Sequence, residues 1–214
     1  MSNNIDFNID GRKIPSNYEN PIDCILINIC DKLIGTCQKN NISPNVITSF
    51  RILIGIFVIK SLMTTKNITF PIIGTILFYF LDNLDGHLAR KTKQVTIIGD
   101  YLDHIADVSF GLSLLYYFVR NRYENKMLMI FILLVFLYLS FVHLGLQQLN
   151  YDKLFNDFKD KNNINEERQP ETLDMLNKLH FFEDHNINWS KYFGTGTLYF
   201  IFLIFIYYIQ NNKL

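Results

Sequence analysis

Residues 127–146 run for 20 positions with only Ser140, His143 and Gly145 relieving an otherwise apolar sequence. A helix rising about 1.5 Å per residue needs roughly 20 such residues to cross a hydrocarbon core of about 30 Å. Within that core every backbone polar group must be satisfied by the segment itself, so the run predicts a membrane-spanning helix. Further apolar runs at about 46–63, from 70 into Asp82 and Asp85, at 97–119 and at 192–209 predict four more. Between the last two spans, residues 150–191 are hydrophilic and predict a loop.

The N-terminal part reads differently. Residues 1–20 are polar, which predicts a flexible arm with no cleavable secretory signal. From 21 to 38, Ile22, Ile25, Leu26, Ile29, Leu33, Ile34 and Cys37 recur at helical spacing, with Asp23, Asn28, Asp31 and Lys32 largely elsewhere. That pattern predicts an amphipathic helix lying in the membrane interface. The expected architecture is therefore an all-α integral membrane protein. An arm and interfacial helix (1–44) precede a bundle of five transmembrane helices (45–210), with the hydrophilic loop at 150–191. Cys24, Cys30 and Cys37 form no Cys-x-x-Cys pair and read as small apolar residues on a helix.

Lys plus Arg and Asp plus Glu balance at 20 each, which gives no expectation of nucleic-acid binding. Their distribution is more telling. With the N-terminus cytoplasmic, 13 basic residues fall on the inside and 5 outside, so the positive-inside bias favours that orientation. It places the chain's most unusual stretch on the cytoplasmic side.

That stretch reads Asp82-Asn-Leu-Asp85-Gly86-His87-Leu-Ala89-Arg90, then eight residues, then Gly99-Asp-Tyr-Leu-Asp103-His104-Ile-Ala-Asp107. Four carboxylates lie at or inside a membrane, where an uncompensated Asp costs roughly 2.5–3.5 kcal/mol. Cations are the natural compensation. Helical spacing puts Asp82, Asp85, Gly86 and Ala89 on one face of the second span, and Gly99, Asp103, Asp107 and Gly111 on one stripe of the third. The short connection predicts antiparallel neighbours whose acidic stripes meet.

Clustered hard oxygens suit Mg2+, Mn2+ or Ca2+, and four carboxylates suit two ions, which can grip a pyrophosphate. Gly86, Ala89 and Gly99 leave room for a nucleotide, and Arg90 offers a planar donor fork to phosphate. Gly111 reads as a close helix-packing position. His87 and His104 read as interfacial neighbours and not as ligands. A cation channel would spread its acidic residues over several spans, whereas these crowd onto two.

The pattern D-x2-D-G-x2-A-R-x8-G-x3-D-x3-D resembles that of the CDP-alcohol phosphotransferase family of membrane enzymes. Upstream, Ser43-Pro44-Asn45-Val46-Ile47-Thr48 followed by Arg51 is similar to the P-N-x-I-T-x-x-R entry of that family's first span. The resemblance implies two metal ions, Mg2+ or Mn2+, held by Asp82, Asp85, Asp103 and Asp107, with Asp107 also the general base. It implies Pro44, Asn45, Gly86, Arg90 and Thr96 along the CDP-containing donor. The partners it implies are a CDP-activated lipid donor, a small alcohol acceptor, membrane lipids and a second copy in a homodimer.

The implied reaction is transfer of a phosphatidyl group from CDP-diacylglycerol to an inositol- or glycerophosphate-like alcohol, releasing CMP. CDP-choline or CDP-ethanolamine transfer to diacylglycerol is an alternative. Members typically have six spans against five here, so a catalytically inactive scaffold of the same fold is another.

Overall fold

Asn20 and Pro21 open the first helix together. The Asn20 side chain accepts from Ile22 N at 3.0 Å, and Pro21 takes the first helical position, where its missing N–H costs nothing. The computed structural model describes residues 10–65, 67–162, 171–178 and 186–212. Its long helices are α1 (Pro21–Lys39), α2 (Pro44–Thr64), α3 (Thr69–Lys91), α4 (Ile97–Arg120) and α5 (Lys126–Asn162). After a 3-10 segment (Thr172–Lys178) come α6 (Ile187–Ser190), a short 3-10 turn (Lys191–Phe193) and α7 (Thr195–Asn211). Helix is the regular structure throughout the described residues.

Among the described residues, three stretches are long and apolar enough to cross a membrane: α2, α5, and the run from α6 through α7. α3 and α4 reach 23 and 24 residues but carry the motif's charges. α5 is 37 residues long, on the order of 55 Å at helical rise, well beyond a bilayer core. The expected loop therefore begins as helix. Apolar character stops near Leu146, yet nothing between Gln147 and Asn162 breaks the backbone hydrogen bonding, so the helix continues.

α2 packs closely against both α3 and α4, whose own backbones come near one another at few positions among the described residues. Side chains of α3 and α4 nonetheless meet directly, as expected: Phe78 stacks on Phe110, and Asp82 and Asp85 approach Asp103. One core gathers Phe78, Tyr79, Phe110, Leu114, Phe118, Tyr199 and Phe202 from α3, α4 and α7. Tyr79 and Tyr199 stack at 4.1 Å, and Phe78 and Phe110 at 4.0 Å. Gly111 faces open space, so its predicted packing role does not hold.

α1 lies across α3 and α7. Its apolar stripe divides: Cys30, Ile34 and Cys37 are buried with Leu81, Leu84 and Leu88 of α3, while Ile25, Ile29 and Leu33 stay exposed. Cys30 and Cys37 thus act as small apolar residues, as expected. Asp23 receives a hydrogen bond from Tyr79, and burial pushes its carboxyl up to about 7.

Residues 10–20 are docked, not a free arm. Gly11 O accepts from Arg90 Nε at 2.7 Å, and Arg12 pairs with Glu19 and donates to Asn28 Oδ1 at 2.7 Å. Residues 1–9 of that arm lie outside the described residues, as do Lys66, Arg168 and Lys213 of the charge asymmetry.

Candidate metal and nucleotide site

α3 carries Asp82 and Asp85 on one face, and α4 carries Asp103 and Asp107. One carboxylate oxygen from each of Asp82, Asp85 and Asp103 can be chosen so that all three lie within 4.8 Å of one another. Asp107, one turn further along α4, stands outside that triad. An all-carboxylate donor set matches hard divalent cations and offers no thiolate or imidazole for a softer metal. The residues fit the ions that the motif implies.

A guanidinium from α2 occupies the space between the acidic stripes. Arg51 has no exposed surface, and it pairs with Asp82, with Asp103 Oδ1 at 2.7 Å and with Asp107 Oδ1 at 3.2 Å. Its Nη2 also donates to the Asp103 carbonyl at 3.0 Å, and its Cζ lies 5.0 Å from the Phe78 ring centroid. Arg51 of α2 thus ties the carboxylates of α3 to those of α4. Asp85, 3% exposed, is satisfied separately: Thr48 Oγ1 donates to its Oδ2 at 2.6 Å.

Beside the triad lies a cavity of about 100 Å3. Pro44, Asn45, Gly86, Arg90 and Thr96, the five positions expected along the nucleotide, all line it, with Asp85 and Asp103. Asp82 and Asp107 are absent from this wall. Thr96 caps α4 by accepting from Gly99 N at 3.1 Å, which aims the helix N-terminus and its partial positive charge toward the cavity. At Gly99 a Cβ would stand 2.9 Å from Asn45 Oδ1 and from Thr96 Oγ1, so glycine is what lets α2 and the cap meet here.

Of the two histidines, His104 lines the cavity and His87 does not. His87 contacts Gly11 O at 3.3 Å and Asp31 at 3.2 Å, and His104 Nδ1 lies 2.8 Å from Asp100 O. Hydrogen bonds from Lys91 and His87 hold the Asp31 carboxyl below its usual value.

Further wall residues were not singled out in the sequence, among them Lys13, Thr48, Asp100 and Glu171. Thr48 had a signal, since it occupies the threonine of the P-N-x-I-T-x-x-R run. Lys13 and Glu171 had none, because only folding brings them here. A second, apolar cavity of about 430 Å3 opens between α2 and α4, lined among others by Ile52, Gly55, Phe78, Ile105 and Phe110.

Residues 41–156 match the family model described as CDP-alcohol phosphatidyltransferase. A similar protein is the CDP-diacylglycerol–glycerol-3-phosphate 3-phosphatidyltransferase of Haemophilus influenzae, 45% identical over 74 residues. That match covers 33% of this chain and 38% of the relative, so the chain spans well under half of the length of the curated protein it resembles. No solved structure matches the chain.

Proposed function

The chain belongs to the CDP-alcohol phosphatidyltransferase family, and on that premise we propose that it moves a phosphatidyl group from CDP-diacylglycerol to a small polar alcohol, releasing CMP. The observation that carries this reading is the carboxylate triad set beside a cavity walled by Asn45, Gly86, Arg90 and Thr96. Among acceptors, the name of the Haemophilus relative favours glycerol 3-phosphate over inositol.

In this reading Asp82, Asp85 and Asp103, with Asp107, hold two divalent ions, Mg2+ or Mn2+. Bound there, the ions supply Lewis-acid polarisation of the diphosphate and charge neutralisation at the leaving oxygen. Arg90 presents its guanidinium to the diphosphate, and the N-terminus of α4 adds backbone donors. Asp107 takes the proton from the acceptor hydroxyl. The freed oxygen attacks the phosphorus distal to cytidine, the bond to the bridging oxygen breaks, and CMP departs with that oxygen. Arg51 keeps the carboxylates from repelling one another while the site is being filled. The apolar groove between α2 and α4 suits the donor's acyl chains.

Further supports concern placement. α3 and α4 are long enough to span, and their charges are gathered toward one end, so we read all five long helical stretches from α2 to α7 as crossing the bilayer. The exposed row Ile25, Ile29 and Leu33 suits α1 to the interface. The excess of basic residues puts the site on the cytoplasmic side.

The test is an assay in reconstituted membranes with CDP-diacylglycerol, Mg2+ or Mn2+, and a panel containing glycerol 3-phosphate and inositol, following CMP. CMP release that needs both metal and one acceptor is the expected result. Release of none, from correctly inserted protein, would leave the inactive scaffold as the better account.

A further inference from the structure

The cavity beside the triad is covered by residues that lie outside the family match at 41–156. From the N-terminal side comes Lys13, and from the segment after α5 comes Glu171. Lys13 Nζ sits 2.6 Å from Glu171 Oε2 and 3.3 Å from Gln148 Oε1. Neither is a stray surface side chain. Lys13 lies two residues after Gly11, whose carbonyl accepts from Arg90, whose φ of +77° favours glycine, and where a Cβ would stand 2.9 Å from His87 Cε1. The arm that presents the lysine is thus fastened to a residue of the motif itself. Glu171 is positioned by Thr172, whose N–H donates to Asp100 Oδ2 at 2.6 Å. Its own N–H donates to Asp174 Oδ2 at 2.7 Å.

Size and charge then conflict with the substrate. A cavity of about 100 Å3 is well below the roughly 300 Å3 at the small end of ligand pockets. A carboxylate on its wall also repels phosphate oxygens, and it neutralises the one ammonium beside it. Withdrawal of the Glu171 segment relieves all three obstacles together: it enlarges the space, removes an anion and frees a cation across from Arg90.

We propose that Lys13 binds a phosphate group of the substrate in this cavity, and that Glu171 holds the lysine in reserve until the phosphate displaces it. The proposal rests on the transferase reading above and deepens it. Phosphate is the shared chemistry of two sources, the donor's diphosphate and a phosphorylated acceptor, and the kinetics separate them.

The experiment uses the full chain in proteoliposomes as wild type, Lys13→Ala, Lys13→Arg and Glu171→Gln. CMP release is measured against CDP-diacylglycerol at saturating glycerol 3-phosphate, and then with the two exchanged. CDP binding is measured by calorimetry without acceptor. Loss of one charge-assisted contact predicts that Lys13→Ala raises one KM about tenfold with kcat changed less than about threefold. Lys13→Arg recovers most of that loss. Glu171→Gln lowers the same KM, a gain that damaged folding does not produce. An effect on the donor KM, with weaker CDP binding, assigns the diphosphate; an effect on the acceptor KM assigns the acceptor's phosphate.

Active wild type whose KM values are both unmoved by Lys13→Ala overturns the proposal and leaves the transferase reading standing. So does a fall in kcat alone. CDP binding that depends on Lys13 in a protein that releases no CMP upholds this proposal and sinks the transferase reading. A wild type that neither binds CDP nor releases CMP sinks both, and an unchanged or raised KM in Glu171→Gln overturns the reserve role.

Discussion

Arg51 is the residue on which the acidic site's own stability depends. It pairs with Asp82, Asp103 and Asp107 from a position with no solvent exposure. Removing one partner of a buried ion pair costs about 3–5 kcal/mol, and the low end applies here because the three carboxylates keep partial exposure. Arg51→Ala is expected to lower the melting temperature by on the order of 10 °C in metal-free detergent solution. Added Mg2+ should close part of that gap, since cations compensate the same carboxylates. A variant melting with the wild type in EDTA would refute the account. Asp107→Asn is the complementary change: loss of the proposed base predicts a fall in kcat of about 10²–10⁴ with expression retained, and full turnover would remove Asp107 from that role. Helical periodicity made legible the faces that carry Asp82 with Asp85 and Asp103 with Asp107, while Pro44, Asn45 and Thr96 were expected at the site only through the family resemblance. Arg51 as the bridge, and Lys13 and Glu171 as the cover, were not legible. Their places depend on which distant segments pack together, and no local spacing encodes that.

At the level of elements, the starts of the helices were legible and one end was not. Asn20 and Thr96 mark the first turns of α1 and α4 through side-chain caps, and Pro44 marks that of α2 by taking its first position, chemistry that operates within a few residues. The end of α5 at Asn162 escaped, because hydropathy reports where a helix leaves lipid and not where its hydrogen bonding stops. α1 supplies the testable case. Asp23, beside Glu19 and accepting from Tyr79 of α3, has its carboxyl raised to about 7 by burial. An unfolded Asp titrates near the ordinary value of about 3.9. The folded form therefore holds its proton more tightly than the unfolded one. The resulting stabilisation is fully present below pH 4, and it is lost as the pH rises toward and through 7. Between pH 5 and pH 8 the wild-type melting temperature should fall, and Asp23→Asn, which still accepts from Tyr79, should flatten that fall. Identical pH profiles for the two proteins would show that this carboxyl is not what titrates.

For the molecule as a whole, the arrangement of charge and the arrangement of chemistry have to agree. On the proposed reading, a CDP-linked donor and a phosphorylated acceptor present polar anions that reach the site from water, while the donor's acyl chains stay in lipid. The site must therefore open at one membrane face, with apolar wall leading away from it into the bilayer. Both conditions are met by one helix pair: the polar cavity lies at the Thr96 end of α4, and the apolar groove runs along α2 and α4 toward Lys60 and Met63. α1 and the cavity's cover belong to the same end of the bundle, where Gly11 meets Arg90 and Asp31 meets Lys91 at 2.5 Å. The short turn between α2 and α3 belongs to the other. This makes orientation a two-sided measurement. In a background with Cys24, Cys30 and Cys37 replaced, Lys39→Cys reports the site face and Asn67→Cys the opposite face, both positions being exposed. With the excess of basic residues inside, a membrane-impermeant maleimide applied to intact cells should label position 67 and reach position 39 only after permeabilisation. Labelling at 39 without permeabilisation would turn the molecule over and place the site away from a cytoplasmic supply of nucleotide. Labelling at both would mean that α2 does not cross the membrane, and the bundle would have to be rebuilt from α5 and α7.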